Sequence, residues 1–199
     1  MNKIEGRILV FGGNGDIGKL VPGIKIPREQ VNVTNYLEVK RCIHSHRPSA
    51  VVDCAGVSFP QPIKSCNVGK WCNEINTNFI GSFNIASASI ENEVSKMVFI
   101  SSYAGLHGKA KRSGYCASKA GVISLVQSIA EEGHEVYCIS PSRVDTKMVG
   151  PPEKGEDMTK RLRPQEIVDL IGECLNGVYK SGSNIVIRKN GDKTVKVVM

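Results

Sequence analysis

Apolar residues arrive in this chain as short runs that alternate with stretches of helical spacing. Arg7–Phe11, Ser49–Cys54, Lys96–Ser101 and Glu135–Ser140 are runs of five or six residues, apolar at consecutive positions within, and Gly23–Ile26 is a shorter candidate. Consecutive apolar positions suit strands covered on both faces, as in a parallel sheet. Between them lie helical patterns. Thr34–His46 opens on a capping residue and carries Leu37, Val39 and Ile43 near one face. One long helix is expected from about Gly69 to Glu91. Ser113–Glu132 sets Val122, Leu125, Val126 and Ile129 on one side, and Arg163–Leu175 reads as a further helix. A first helix is expected to end near Leu20, and Asn184–Val198 reads as a strand, an Asn-Gly turn and a second strand. Strand and helix alternate from end to end, which predicts an α/β fold: a doubly wound parallel sheet in three αβα layers. No repeat, linker or low-complexity tract divides residues 1–199, so one domain is expected. Lys147–Leu162 is the least regular segment, rich in Gly, Pro and charge. The stretch around 145–162 is a candidate substrate lid, or equally a plain surface loop.

Composition narrows the partners. At 199 residues and 41% hydrophobic, the chain can bury one sizeable core. A net charge of +7 points to anionic partners: nucleic acid, nucleotide phosphates or an anionic sugar nucleotide. The cations are scattered (Lys109, Lys111 and Arg112; Lys160, Arg161 and Arg163; Lys189, Lys193 and Lys196), the pattern of a solvated surface rather than a nucleic-acid groove. The seven cysteines are odd in number, irregularly spaced and without a C-x-x-C, which argues against a zinc site or disulfide framework. No metal site is expected. "MNKIEGRILVFGG" has no signal-peptide core, and no apolar run approaches membrane-spanning length. A cytoplasmic protein without a membrane partner is expected.

"VFGGNGDIGKL" follows the first strand and spaces Gly12, Gly15 and Gly18 as G-x-x-G-x-x-G. Glycines permit a tight turn and let backbone amides approach a pyrophosphate at a helix N-terminus, which makes the expected fold Rossmann-like. Asp16 and Ile17 lie inside the same turn. The plainer alternative is a tight βα turn without a ligand. The acidic residue that would hold an adenosine ribose is expected near the end of the second strand. Pro27 and Arg28 stand there, with Glu29 the one acid. Arginine can pair a 2′-phosphate, so NADP(H) is favoured over NAD(H); the alternative is that Arg28 is an exposed loop residue.

"SGYCASKAG" puts Tyr115 and Lys119 one helical turn apart among small residues. Small residues suit close helix packing, and an ammonium one turn away also suits an acidified phenol. "FISSYAG" ends the fourth strand, so Ser101 and Ser102 lie at the sheet edge where ligands of open α/β sheets bind. Ser102 precedes Tyr115 by thirteen positions, and "NTNFIG" sets Asn78 near the middle of the preceding helix. Together these features resemble the short-chain dehydrogenase/reductase family. Its Ser, Tyr-x-x-x-Lys and mid-helix Asn stand here as Ser102, Tyr115, Lys119 and Asn78. "DCAG" resembles its N-x-A-G cofactor wall, with Asp53 where the first Asn is usual, and brings in Cys54, Ala55 and Gly56. "NVTN" resembles its adenine-contacting D-V-T-D, placing that contact on Asn32 and Val33. "PSRVDTKM" resembles P-G-x-V-x-T, with Ser142 where Gly is usual, and implicates Pro141, Val144 and Thr146. The shortened first helix and the glycine spacing are similar to the dTDP-4-dehydrorhamnose reductase-like branch.

The resemblance implies an NAD(P)(H)-dependent oxidoreductase acting on a small carbonyl or alcohol. Tyr115 would exchange a proton with the substrate oxygen and Ser102 would hold that oxygen. Lys119 would hold nicotinamide ribose hydroxyls, and Asn78 would keep a water in the proton path. It also implies a homodimer or homotetramer that pairs the helices containing Asn78 and Tyr115. A tyrosine titrates near 10, so bringing it to neutrality takes roughly three units, about 4 kcal/mol, and a nearby ammonium and a nicotinamide cation act in that direction. Singly, each residue has a plainer reading: Tyr115 half-buried on a helix, Ser102 ending a strand, Asn78 bending a helix. A non-catalytic dinucleotide-binding sensor or scaffold is the alternative function. His44, His46, His107 and His134 show no triad or metal spacing and are expected to face solvent.

Overall fold

The computed structural model describes residues 7–151, 155–190 and 193–199. Its strands are β1 (Ile8–Phe11), β2 (Ile24–Ile26), β3 (Ala50–Asp53), β4 (Lys96–Ile100), β5 (Val136–Pro141), β6 (Asn184–Asn190) and β7 (Lys193–Val198). They form one sheet in the order β2-β1-β3-β4-β5-β6-β7. The first six are parallel, with registers such as Phe11 beside Asp53 and Asp53 beside Phe99, and β7 returns antiparallel to β6. Side chains alternate across the sheet. Leu9, Phe11, Val51 and Phe99 face α1 (Tyr36–His46), α3 (Gly81–Glu91) and α4 (Ser113–Glu131). Val10, Val52, Val98 and Ile139 face α5 (Pro164–Leu175). The strands are therefore buried on both faces, and the expected Rossmann-like three-layer αβα fold is present.

Three local expectations are corrected. The first helix is a single 3-10 turn at Gly18–Leu20. Pro22 stops it, and Gly23 turns the chain into β2 at φ 127°, where a Cβ would lie 2.5 Å from the Ile8 carbonyl oxygen. The cap of α1 is Asn35, not Thr34: its Oδ1 accepts the Leu37 and Glu38 N–H groups at 3.1 and 3.3 Å. The long helix divides into α2 (Val68–Ile75), a π-helical turn at Asn76–Ile80, and α3.

The segment after β5 is tied down where it leaves and where it returns. Val144 bridges Leu162, and Arg161, 4% exposed, bonds Glu156 at 2.8 Å, Asp145 at 3.1 Å and the Gly150 carbonyl at 2.9 Å. Pro152, Glu153 and Lys154 of the candidate lid lie outside the described residues, as do Gly191 and Asp192 of the expected hairpin turn. Because the strands run in parallel, the loops after β1, β3, β4 and β5 gather on one edge. The chain moves from β1 to β2 on one side and to β3 on the other, and that reversal opens a crevice.

Candidate active site

Two adjoining cavities, ≈ 620 and ≈ 340 Å³, occupy this edge and share Ile17, Cys54, Ala55, Gly56, Thr146 and Met148 as walls. The smaller is also lined by the glycine turn from Gly12 to Gly18, by Arg28 and Glu29, and by Asn32 and Val33. The larger holds Ser102, Tyr115, Lys119, Pro141 and Val144. Every residue singled out from the sequence as a site residue lines one cavity or the other, except Asn78.

The glycine turn needs bare backbone. Gly12 has φ 70°, and a Cβ there would lie 2.7 Å from the Ala55 nitrogen; one on Gly18 would lie 2.4 Å from the Gly12 oxygen. The turn folds onto itself, with the Gly15 N–H donating to Gly12 O at 3.0 Å. This cradle fits a diphosphate, but only through its own amides: one 3-10 turn carries too little dipole for the helix-terminus effect the sequence suggested. Asp16 is engaged elsewhere. Its carboxylate accepts the Lys147 N–H at 2.7 Å and the Lys19 ammonium at 2.9 Å, tying the glycine turn to the segment after β5. The Lys147 N–H and then Lys19 hold it below the usual carboxylate range. Asn32 Oδ1 accepts the Thr34 N–H and hydroxyl at 3.1 and 3.0 Å, shaping the adjacent wall.

At the end of β3, Asp53 is buried. Its oxygens accept the Ala55 N–H at 2.9 Å and the Ser82 hydroxyl at 2.6 Å. Burial pushes its carboxyl up, against the opposing pull of Ser82, Lys119 and the Ala55 N–H. Gly56 follows, where a Cβ would stand 3.4 Å from Asn78 Oδ1 and 3.7 Å from Lys119 Nζ. Asn78 is fully buried in the π-helical turn. Its Oδ1 accepts the Val57 N–H at 2.7 Å, and its Nδ2 donates to Val57 O at 2.9 Å and Ser118 Oγ at 3.1 Å. Both amide protons are thus committed behind the cavity wall.

At the end of β4, Ser102 Oγ accepts the Ala104 N–H at 3.2 Å. Ser101 donates to Lys119 O at 2.7 Å, and a Cβ on Gly105 would lie 2.8 Å from the Lys119 carbonyl carbon, so α4 packs directly on this loop. Lys119 is buried, and its Nζ donates to Ile100 O at 2.7 Å. Tyr115 is half-buried one turn before it, and the Arg112 guanidinium carbon lies 5.9 Å from its ring centroid. Sequence reasoning missed Met148, Thr77 and the tract His107–Arg112. The basic tract was visible as charge but was read as solvated surface; it lines the larger cavity.

A model described as short chain dehydrogenase matches residues 30–157. The chain belongs to the short-chain dehydrogenase family. It is 33% identical over 146 residues to the (3R)-3-hydroxyacyl-CoA dehydrogenase of Homo sapiens, covering 70% of this chain and 52% of that protein. The Canis lupus familiaris counterpart is 31% identical over 179 residues, covering 82% of this chain and 64% of that one. The chain therefore spans about half to two-thirds of the length of these relatives. A 3-oxoacyl-[acyl-carrier protein] reductase from Brucella melitensis shares the fold at TM-score 0.78, with 18% identity and 92% and 89% of the two chains covered. ElxO with NADP bound does so at TM-score 0.79, with 18% identity and 90% and 96% covered. The likeness to dTDP-4-dehydrorhamnose reductase rests on the glycine turn and short first helix alone. Among the described residues no helix is long and apolar enough to cross a membrane.

Proposed function

We propose that this chain is an NAD(P)(H)-dependent oxidoreductase interconverting a small carbonyl and its alcohol. The observation that carries the proposal is the meeting of Ser102, Tyr115 and Lys119 in one cavity that opens into the glycine-turn cavity. Gly12, Gly15 and Gly18 would cradle the diphosphate, the Gly15 N–H being already given to Gly12 O, with Ile17 beside them and Asp16 fastening the turn. Asn32 and Val33 flank the adenine; Cys54, Ala55 and Gly56 form the common wall; Pro141, Val144 and Thr146 line the nicotinamide side. Arg28 favours NADP(H), although Glu29 beside it moderates the preference. The dinucleotide, when bound, supplies or accepts the hydride.

Tyr115 gives its phenolic proton to the carbonyl oxygen in reduction and takes the alcohol proton in oxidation. Ser102 accepts the Ala104 N–H, so its own proton remains to be donated to the same oxygen. Lys119 spends one proton on Ile100 O and keeps two for ribose hydroxyls. Asn78 is a positioning residue: with its amide committed to Val57 and Ser118, it braces the wall that holds Gly56 beside Lys119. The segment 145–162 lids the substrate side through Thr146, Met148 and Val149. The protein works in the cytoplasm as a homodimer or homotetramer.

Tyr115→Phe tests this. With NADPH and NADH offered against a panel of ketones and aldehydes, turnover falls about 100-fold or more while fluorescence titration finds dinucleotide affinity within a few-fold. Undiminished turnover in the variant would overturn the assignment. Dinucleotide binding by the unaltered protein with no turnover across the panel would favour the sensor or scaffold.

A further inference from the structure

We propose that the larger cavity selects substrates carrying a negative charge, a carboxylate or phosphate ester, held at the mouth by Arg112 with Lys109 and Lys111. The inference rests on the oxidoreductase reading and adds a substrate class to it. "HGKAKR" (His107–Arg112) lies along this cavity, and no Asp or Glu is among the described residues that line it. Several cations elsewhere meet a carboxylate: Lys40 with Glu91, Lys96 with Glu135, Lys189 with Glu166, Lys196 with Glu173. At the mouth Arg143 is paired with Glu156 at 3.1 Å.

Arg112 is the fixed point. It is half-buried, its Nη1 donates to Ser58 Oγ at 3.2 Å, and its guanidinium stands 5.9 Å from the centroid of the Tyr115 ring. One donor of five is thereby committed to Ser58, and the remaining fork suits a planar carboxylate or a phosphate beside the proton donor. Lys111 is held by its backbone, which accepts the Gln61 N–H at 2.7 Å, so the basic tract keeps its place at the rim. The dinucleotide phosphates have their own cradle in the glycine turn of the smaller cavity, where Asp16 and Glu29 also sit. The mouth cations are left for the substrate, and like charges gathered in a concave site focus a field that draws an anion.

The test compares 4-carboxybenzaldehyde and 4-formylphenyl phosphate with the neutral methyl 4-formylbenzoate, each reduced by the loaded enzyme at low salt. The expected kcat/KM for one or both anions exceeds that for the ester by about tenfold. The ratio falls toward one as KCl rises to about 500 mM and in the exposed-site double variant Lys109→Gln/Lys111→Gln. The phosphate and carboxylate arms show which anion the mouth prefers. A ratio of one or below in the unaltered protein at low salt, or a ratio insensitive to both salt and the lysine changes, overturns the proposal while leaving the oxidoreductase reading intact. If no aldehyde is reduced, ligand-observed NMR with 4-(hydroxymethyl)benzoate and its methyl ester separates the two claims. Selective, salt-sensitive binding of the acid sustains the anion site while the oxidoreductase reading falls; equal binding, or none, removes the anion site as well.

Discussion

At Asp53 a carboxylate occupies the position where the family pattern has asparagine, and it does so fully buried between β3 and α3. Burial pushes its pKa up, more than Ser82, Lys119 and the Ala55 N–H pull it down. The native state therefore binds this proton more tightly than the unfolded chain does, and stability is lost as pH rises through the range above the ordinary carboxylate value. Asn fits the same hydrogen bonds. Its Oδ1 accepts the Ala55 N–H and its Nδ2 donates to Ser82 Oγ, whose proton passes to Asn78 O, already 3.0 Å away. Asp53→Asn is expected to stabilise the protein at pH 7 by on the order of 1 kcal/mol in urea melts and to flatten the fall in stability as pH rises above the ordinary carboxylate range. A less stable variant at pH 7 would show that the charge is held favourably, with Lys119 outweighing burial.

The elements are joined by a few polar clasps as well as by the core. Glu166, in the first turn of α5, accepts the Arg163 N–H at 2.8 Å, the Lys189 ammonium at 2.8 Å and the Thr194 hydroxyl, fastening the helix start to the β6–β7 pair. Burial works against ionisation here, but Lys189, Thr194 and the Arg163 N–H prevail and hold the carboxyl at about 2. A depressed pKa contributes stability that is full above the unfolded value and is lost as pH falls through the folded one. Glu166→Gln is expected to cost about 2 kcal/mol in urea melts at pH 7. The gap from the unaltered protein should narrow as pH falls from about 5 toward 3. A gap that does not change with pH would assign the effect to packing rather than charge.

Across the molecule, Ile80 at the end of the π-helical turn and Phe83 of α3 are 39% and 49% exposed on the face that follows Asn78. Assembly through this face and α4 would cover them. Phe83→Arg is expected to shift the protein to monomer in sedimentation velocity, with Tm within a few degrees of the parent because an exposed site carries little fold stability. A parent that is monomeric at every concentration, or a variant that assembles unchanged, removes this interface. In the short β1–β2 connection one 3-10 turn and the plug of Val21 stand in place of a full helix, and α5 covers the rest of that face.

Sequence alone determined the parallel sheet, because consecutive apolar positions such as Ile8 to Phe11 have no stable place except between two covering layers. It also determined the Gly12–Gly18 turn and the Tyr115–Lys119 pair, whose geometry is set by residues a few positions apart. Only the tertiary structure decided which polar groups remain available at the site. Asp16 meets a backbone N–H 131 positions away, Asn78 commits its amide behind the wall, and Lys119 spends a proton on Ile100. It also brought the tract Lys109–Arg112, which reads as surface charge, to the mouth of the larger cavity. Hydrogen-bonding groups compete for partners only once packing has brought distant segments together, and no local pattern records the outcome.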